Sequence, residues 1–152
     1  MAGANFSNSS FINANLTGVD LTNKSCQYTN FTRANLTSAN LTGADLTSAN
    51  LTTATLTTTN LTTTNLTSAN LTTADLTSAN LTGADLTSAN LTGADLTSAD
   101  LTTANLTGAL CDATEFTGAT MPDDADTKAE FKALVGSWNA VTTIWTDGNP
   151  IG

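Results

Sequence analysis

Hydrophobic residues recur at every fifth position of this chain, from Phe6 to Met121, without interruption. The central stretch from Leu36 to Leu106 uses leucine at each of these positions, and phenylalanine, cysteine and methionine replace it only toward the ends. A period of five fits neither the 3.6-residue period of a helix nor the two-residue period of a strand. The pattern therefore predicts a repeat architecture in which neighbouring units share one continuous core.

The unit can be described by five positions, taken from residues 44–48, Ala-Asp-Leu-Thr-Ser. The leucine is the central position, the alanine two places earlier is the small position, and the Asn or Asp between them is the amide position. The threonine position follows the centre, and the corner position holds Ser, Thr or Gly in most units. Two positions are inward and three are polar, so each unit is predicted to be a short extended piece with a corner.

Such units resemble those of the pentapeptide-repeat family, with a small residue, Asn or Asp, Leu or Phe, and two polar residues. The resemblance covers residues 4–122. It implies an all-β solenoid, a right-handed quadrilateral parallel β-helix with four repeats, or 20 residues, in each coil. Residues 1–122 would form about six coils, with a height of roughly 29 Å at ~4.8 Å per coil.

A C-terminal capping α-helix and tail are predicted for residues 123–152. Thr127 and Glu130 have the spacing of a capping box, and the helix is expected to end before Asp147. Its apolar stripe would cover the end of the solenoid core or, as in some family members, form a dimer interface. The stripe consists of Phe131, Leu134, Val135, Trp138, Val141 and Trp145.

Three local expectations follow from departures within the repeat. Lys24 occupies a small, inward position, so we expect a local bulge or a side chain that reaches outward. Glycines at corners are expected to have positive φ, whereas Ser and Thr at other corners suggest another turn type. Cys26 and Cys111 lie about four coils apart, roughly 19 Å, which excludes a disulfide between them.

Charge narrows the possible partners. The net charge is −9 and only four residues are cationic, which argues against direct binding of nucleic acid or anionic membranes. The sequence has neither a long apolar run nor a leader pattern, so we expect a cytoplasmic protein, or one obtained by recombinant expression.

Catalytic chemistry is not indicated. The chain has no His, no phosphate-binding loop and no metal-ligand spacing, so we expect neither an enzyme nor a cofactor. At period 20, the acids Asp75, Asp95 and Glu115 fall in one column, where they could bind a cation. Surface acids more commonly serve solubility, so no metal site is predicted.

The uniform centre between more varied ends is typical of an engineered consensus array. The sequence therefore predicts a structural repeat scaffold without a ligand. Two alternatives remain open. Some members of the family mimic duplex DNA and inhibit type II topoisomerases such as gyrase, and outward columns of threonine at a fixed ~4.8 Å spacing could bind ice or another regular surface.

Overall fold

The computed structural model describes residues 4–122 and 144–145. Parallel bridges join residues 20 positions apart, from Asn5 with Ser25 to Asp100 with Thr120. These bridges form four columns, one for each amide position in a coil, and each column contains six levels. The chain is thus a four-sided parallel β-helix, which confirms the 20-residue coil. Its right-handed winding stays a prediction from the family resemblance.

Two strands, each two residues long, pair with one another at the C-terminal end of the solenoid. Strand β1 is Thr120–Met121 and strand β2 is Ile144–Trp145. They pair in parallel, with Thr120 opposite Ile144 and Met121 opposite Trp145. Strand β2 therefore continues the stack beyond the sixth coil on one side of the square.

The predicted capping helix lies mostly outside the described residues. Its stripe residues Phe131, Leu134, Val135, Trp138 and Val141 belong to that part of the chain. Trp145 is described, and it lies in strand β2 rather than in a helix. The prediction that the helix continues through Trp145 is wrong, because backbone pairing with β1 gives this residue an extended conformation.

All corners share one turn geometry, which corrects the expectation of a second turn type at Ser and Thr. At a glycine corner, the Ala44 N–H donates to the Leu41 carbonyl at 2.9 Å and Gly43 has a φ of 63°. Corner Ser and Thr residues have the same conformation, with φ values of 57° at Ser68 and 55° at Thr53. In each of these turns only the third residue has a positive φ, and this pattern identifies a type II turn.

Stacking explains why side-chain identity does not change the turn. In the first four coils, the corner N–H donates to the carbonyl of the threonine position in the next coil, as Gly43 does to Thr62 and Thr53 to Thr72. The backbone of one corner is therefore fixed by the corner above it. Ser and Thr adopt the left-handed conformation although it favours glycine.

Leucine columns fill the interior. Central leucines such as Leu51, Leu71 and Leu91 are fully buried, and the alanines of the small position are buried beside them. At the N-terminal end the core is less complete, because Phe6, Phe11 and Leu16 are only partly buried. Phe11 stacks on Phe31 of the next coil, with ring centroids 5.4 Å apart.

Lys24 causes no bulge. Its N–H donates to Leu21 at 3.1 Å and its carbonyl accepts from Asp45 at 2.9 Å, as at other small positions. The prediction of a local bulge is wrong, because the backbone ladder does not depend on the side chain. Lys24 is half-buried rather than buried, which agrees with the alternative of a side chain that reaches outward.

Candidate interaction faces

The amide position organises the outer surface of each coil. The Asn50 Oδ1 atom accepts hydrogen bonds from the Thr52 N–H at 3.0 Å and the Thr52 hydroxyl at 2.7 Å. Asp45 makes the same pair of contacts with Thr47, at 3.0 and 2.6 Å. Asn and Asp are thus interchangeable as acceptors for the backbone N–H two residues later. This explains why both residues occur in the amide position.

These hydrogen bonds also affect acid strength. Burial by itself would raise the pKa of Asp45, but donation from Thr47 and Gln27 outweighs it and the pKa lies below its usual value. At Asp20 the Thr22 hydroxyl and N–H lower the pKa, and the nearby Lys24 charge adds to this effect. These carboxylates therefore stabilise the fold in their ionised form.

The solenoid has four faces, which we number by the amide position of their first coil. The first face begins with Asn5, the second with Ser10, the third with Asn15 and the fourth with Asp20, and each continues at intervals of 20 residues. The acids of residues 4–122 are unequally distributed over these faces. The amide columns contain Asp45 and Asp85 on the first face, Asp75, Asp95 and Glu115 on the third, and Asp20 and Asp100 on the fourth.

The second face has no acid in its amide column. Its members are Ser10, Asn30, Asn50, Asn70, Asn90 and Leu110. In its threonine column, Ile12 begins the series and Asp112 ends it, with threonine at the four levels between them. Over most of its height this face is therefore an uncharged array of Asn and Thr.

Exposed apolar residues occur on the same face, which the sequence reasoning missed. Ile12 is 47% exposed, Leu110 is 51% exposed, and Tyr28, at the corner between the first and second faces, is 60% exposed. Each of them replaces a polar residue at an outward position of the repeat. The sequence signal for all three is an apolar or aromatic residue at an outward position where the repeat otherwise has a polar one.

The column of Asp75, Asp95 and Glu115 is assembled as expected, because successive members are bridged in adjacent coils. The Thr77 N–H donates to Asp75, the Thr97 N–H to Asp95, and the Thr117 hydroxyl to Glu115. In residues 4–122, no group of three His, Cys, Asp or Glu side chains is arranged to hold a metal ion.

Both cysteines are free thiols, as the sequence predicts. Cys26 is fully buried and Cys111 is partly buried. Burial, together with the charge of Asp45, raises the pKa of Cys26 to about 11, and burial with the charge of Asp112 raises that of Cys111 to about 12. Neither thiol is activated as a nucleophile, because the reactive thiolate is disfavoured.

Comparison with known proteins identifies the family. The Pentapeptide repeats family matches in eight copies, over residues 1–23, 25–52, 54–93, 69–108 and 94–122. The chain therefore belongs to the pentapeptide-repeat family. A search of curated protein sequences found no significant match.

Solved structures of the same family resemble the chain. A pentapeptide repeat protein from the cyanobacterium Cyanothece 51142 is 30% identical with a TM-score of 0.61, and the match covers 75% of this chain and 91% of that protein. HetL from Nostoc sp. strain PCC 7120, involved in heterocyst differentiation regulation, is 32% identical over 78% of this chain and 68% of HetL, with a TM-score of 0.43. Residues 4–122 and 144–145 contain no membrane-spanning helix.

Proposed function

We propose that this chain is a structural repeat scaffold without catalytic activity, with an engineered consensus array between Leu36 and Leu106. The observation that supports it most is the use of outward polar side chains to hold the backbone. At the centre of the second face, the Asn70 Oδ1 atom accepts from the Thr72 N–H at 3.0 Å and its hydroxyl at 2.6 Å. The surface residues that recur most regularly thus serve the fold.

Stability measurements on two substitutions of Asn70 test this proposal. Asn70→Ala removes the acceptor for the Thr72 N–H and should lower the free energy of unfolding by about 0.5–1.5 kcal/mol. Asn70→Asp keeps an acceptor oxygen, as at Asp45, and should cost less. Equal stability of the alanine variant and the parent would contradict a structural role for the amide position.

A second candidate, inhibition of a type II topoisomerase by DNA mimicry, is favoured by the acids in register on three faces.

A third candidate, binding of ice or another regular surface, is favoured by threonine columns that repeat once in each coil. Against the third, hydroxyls such as that of Thr72 already donate to Asn side chains. An ice-binding protein would produce thermal hysteresis in a cooled solution. A scaffold should produce no thermal hysteresis, so this measurement distinguishes the two candidates.

A further inference from the structure

We propose that the second face is a self-association surface that binds the second face of another copy of this chain. In the proposed dimer, a twofold axis runs parallel to the solenoid axis between the two faces. Three observations support this arrangement: the distribution of charge, the unused hydrogen-bonding groups of the face, and the residues at its two edges.

Charge favours this face over the other three. An identical copy carries the same net charge of −9, so contact between two copies is least unfavourable where acids are fewest. The first, third and fourth faces would place carboxylates of their amide columns close to those of the second copy. The second face has only Asp112, at its top coil, and it bears the exposed Ile12 and Leu110.

Hydrogen-bonding groups on this face are self-complementary. The Oδ1 atoms of Asn30, Asn50 and Asn70 accept from threonine, while their Nδ2 groups have no acceptor among residues 4–122. The hydroxyls of Thr32, Thr52 and Thr72 have donated their proton and retain acceptor capacity. A twofold axis parallel to the solenoid places the amide column of one copy opposite the threonine column of the other. Both columns repeat once in each coil, so Asn donors and Thr acceptors meet at the four middle levels, from Asn30 to Asn90.

The edges of the face add a specific contact. Tyr28 and Arg33 occupy the two corners that flank the second face in the same coil, and both are exposed. The proposed twofold axis brings Tyr28 of each copy against Arg33 of the other, which allows two cation–π contacts. Corners in the coils above are small and permit close approach. They are Ser48, Ser68, Ser88 and Gly108 on one edge and Thr53, Thr73, Gly93 and Ala113 on the other.

The size of the face limits the strength of this association. The second face has six levels spaced by ~4.8 Å, and each side of a coil is about five residues wide. The area of this face is therefore roughly 400 Å² for each copy. Stable dimers bury about 800 Å² for each partner. We therefore expect a weak, concentration-dependent dimer with a Kd in the range of about 0.1–1 mM.

Two triple variants with equal charge test the proposal. Asn50, Asn70 and Asn90 are changed to Asp on the second face, and Asn40, Asn60 and Asn80 on the fourth face serve as the control. Asp accepts the same hydrogen bonds at Asp45, so both variants should keep the fold, which circular dichroism verifies. Sedimentation velocity at physiological salt, from about 10 μM to 1 mM, should show association weakened at least about tenfold by the second-face change and less than about threefold by the control.

A second pair of variants leaves the amide column intact. Tyr28→Ala should weaken association several-fold, whereas Ser48→Ala, one coil higher at the same corner, should have little effect. The proposal is overturned if the parent chain stays monomeric at about 1 mM, or if both triple variants weaken association equally. Association that persists in both triple variants would assign the contact to another surface, such as the C-terminal segment, and would also overturn it.

Discussion

At the scale of single residues, the corners carry the clearest conflict between sequence and conformation. Threonine is β-branched and rarely adopts a positive φ, yet Thr53, Thr58 and Thr63 have φ values of 55°, 55° and 52°. The cost of this conformation is offset by the ladder between coils. At Gly43, by contrast, an added Cβ would lie 2.3 Å from the Asn23 Oδ1 atom, so a larger residue there would require the end of the Asn23 side chain to shift.

Replacing a corner threonine should therefore stabilise the protein. Asn tolerates the left-handed conformation better than Thr, so Thr53→Asn should raise the free energy of unfolding by about 0.5–1 kcal/mol. Chemical denaturation measures this difference. Thr52→Asn is the matched control, because its φ is not positive and its hydroxyl bonds to Asn50. If Thr53→Asn is destabilising, strain at the corner is not what limits stability.

Acid sensitivity is also decided by single residues. The pKa of Asp45 is lower in the folded chain than its value of about 3.9 in an unfolded one. Its ionised form thus stabilises the fold above that pH, and this contribution is lost as the pH falls through the folded pKa. Asp45→Asn keeps the acceptor oxygen for Thr47 but loses the acceptor for Gln27 and the ionised form, so it should be less stable than the parent at pH 7 and should lose less stability between about pH 5 and pH 2. Identical pH profiles of the melting temperature would contradict this account.

At the scale of structural elements, the two ends of the solenoid differ. Met121 and Pro122 are buried and strand β2 pairs with β1, whereas Phe6, Phe11 and Leu16 at the other end are partly exposed. An unpaired strand edge beside exposed core is a site for aggregation. Strand β2 therefore pairs with a strand edge at the C-terminal end that would otherwise be open.

Removal of residues 123–152 should expose Met121 and the edge of strand β1. We expect a lower melting temperature and association between chains, measured by calorimetry and light scattering. Within the full chain, Ile144→Pro removes a backbone donor from strand β2 and should produce part of the same effect. A truncated chain that is monomeric and as stable as the parent would show that the segment has no capping role.

Sequence reasoning was most successful for the repeating elements. The inward columns could be predicted because a leucine at every fifth residue fits neither a helix nor a plain strand, and the family resemblance supplied the 20-residue coil that stacks them. Strand β2 could not be predicted, because Ile144 and Trp145 also fit a helical stripe and only pairing with Thr120 and Met121 decides between them. The absence of acids from the amide column of the second face was visible in the sequence, but Ile12, Tyr28 and Leu110 were missed because outward positions were treated as uniformly polar.

At the scale of the whole molecule, charge is distributed unequally along the axis as well as around it. The first two coils contain one acid, Asp20, together with Lys24 and Arg33. The other seven acids of residues 4–122 lie in the four upper coils. The rod is therefore slightly positive at its N-terminal end and negative over the rest of its length.

This distribution bears on the candidate function of DNA mimicry. Duplex DNA carries one charge for about 1.7 Å of its axis, so a rod of roughly 29 Å would need about 17 negative charges. Residues 4–122 contain eight acids and two cations, which leaves a net charge of −6. Attraction toward a basic DNA-binding surface should be weak and readily screened by salt. We therefore expect little or no inhibition of gyrase in a supercoiling assay.

A more acidic variant tests whether charge is the limiting property. Seven Asn→Asp changes in the amide columns would keep the acceptor oxygens of the scaffold and change the net charge of the rod from −6 to −13. The positions are Asn30, Asn40, Asn50, Asn60, Asn70, Asn80 and Asn90. If duplex-like shape is already present and charge is lacking, this variant should inhibit supercoiling at least about tenfold more strongly than the parent, and more strongly than a flexible acidic peptide of equal charge. Strong inhibition by the parent at sub-micromolar concentration would show instead that shape suffices, whereas equal inhibition by variant and peptide would show that the solenoid contributes nothing beyond its charge.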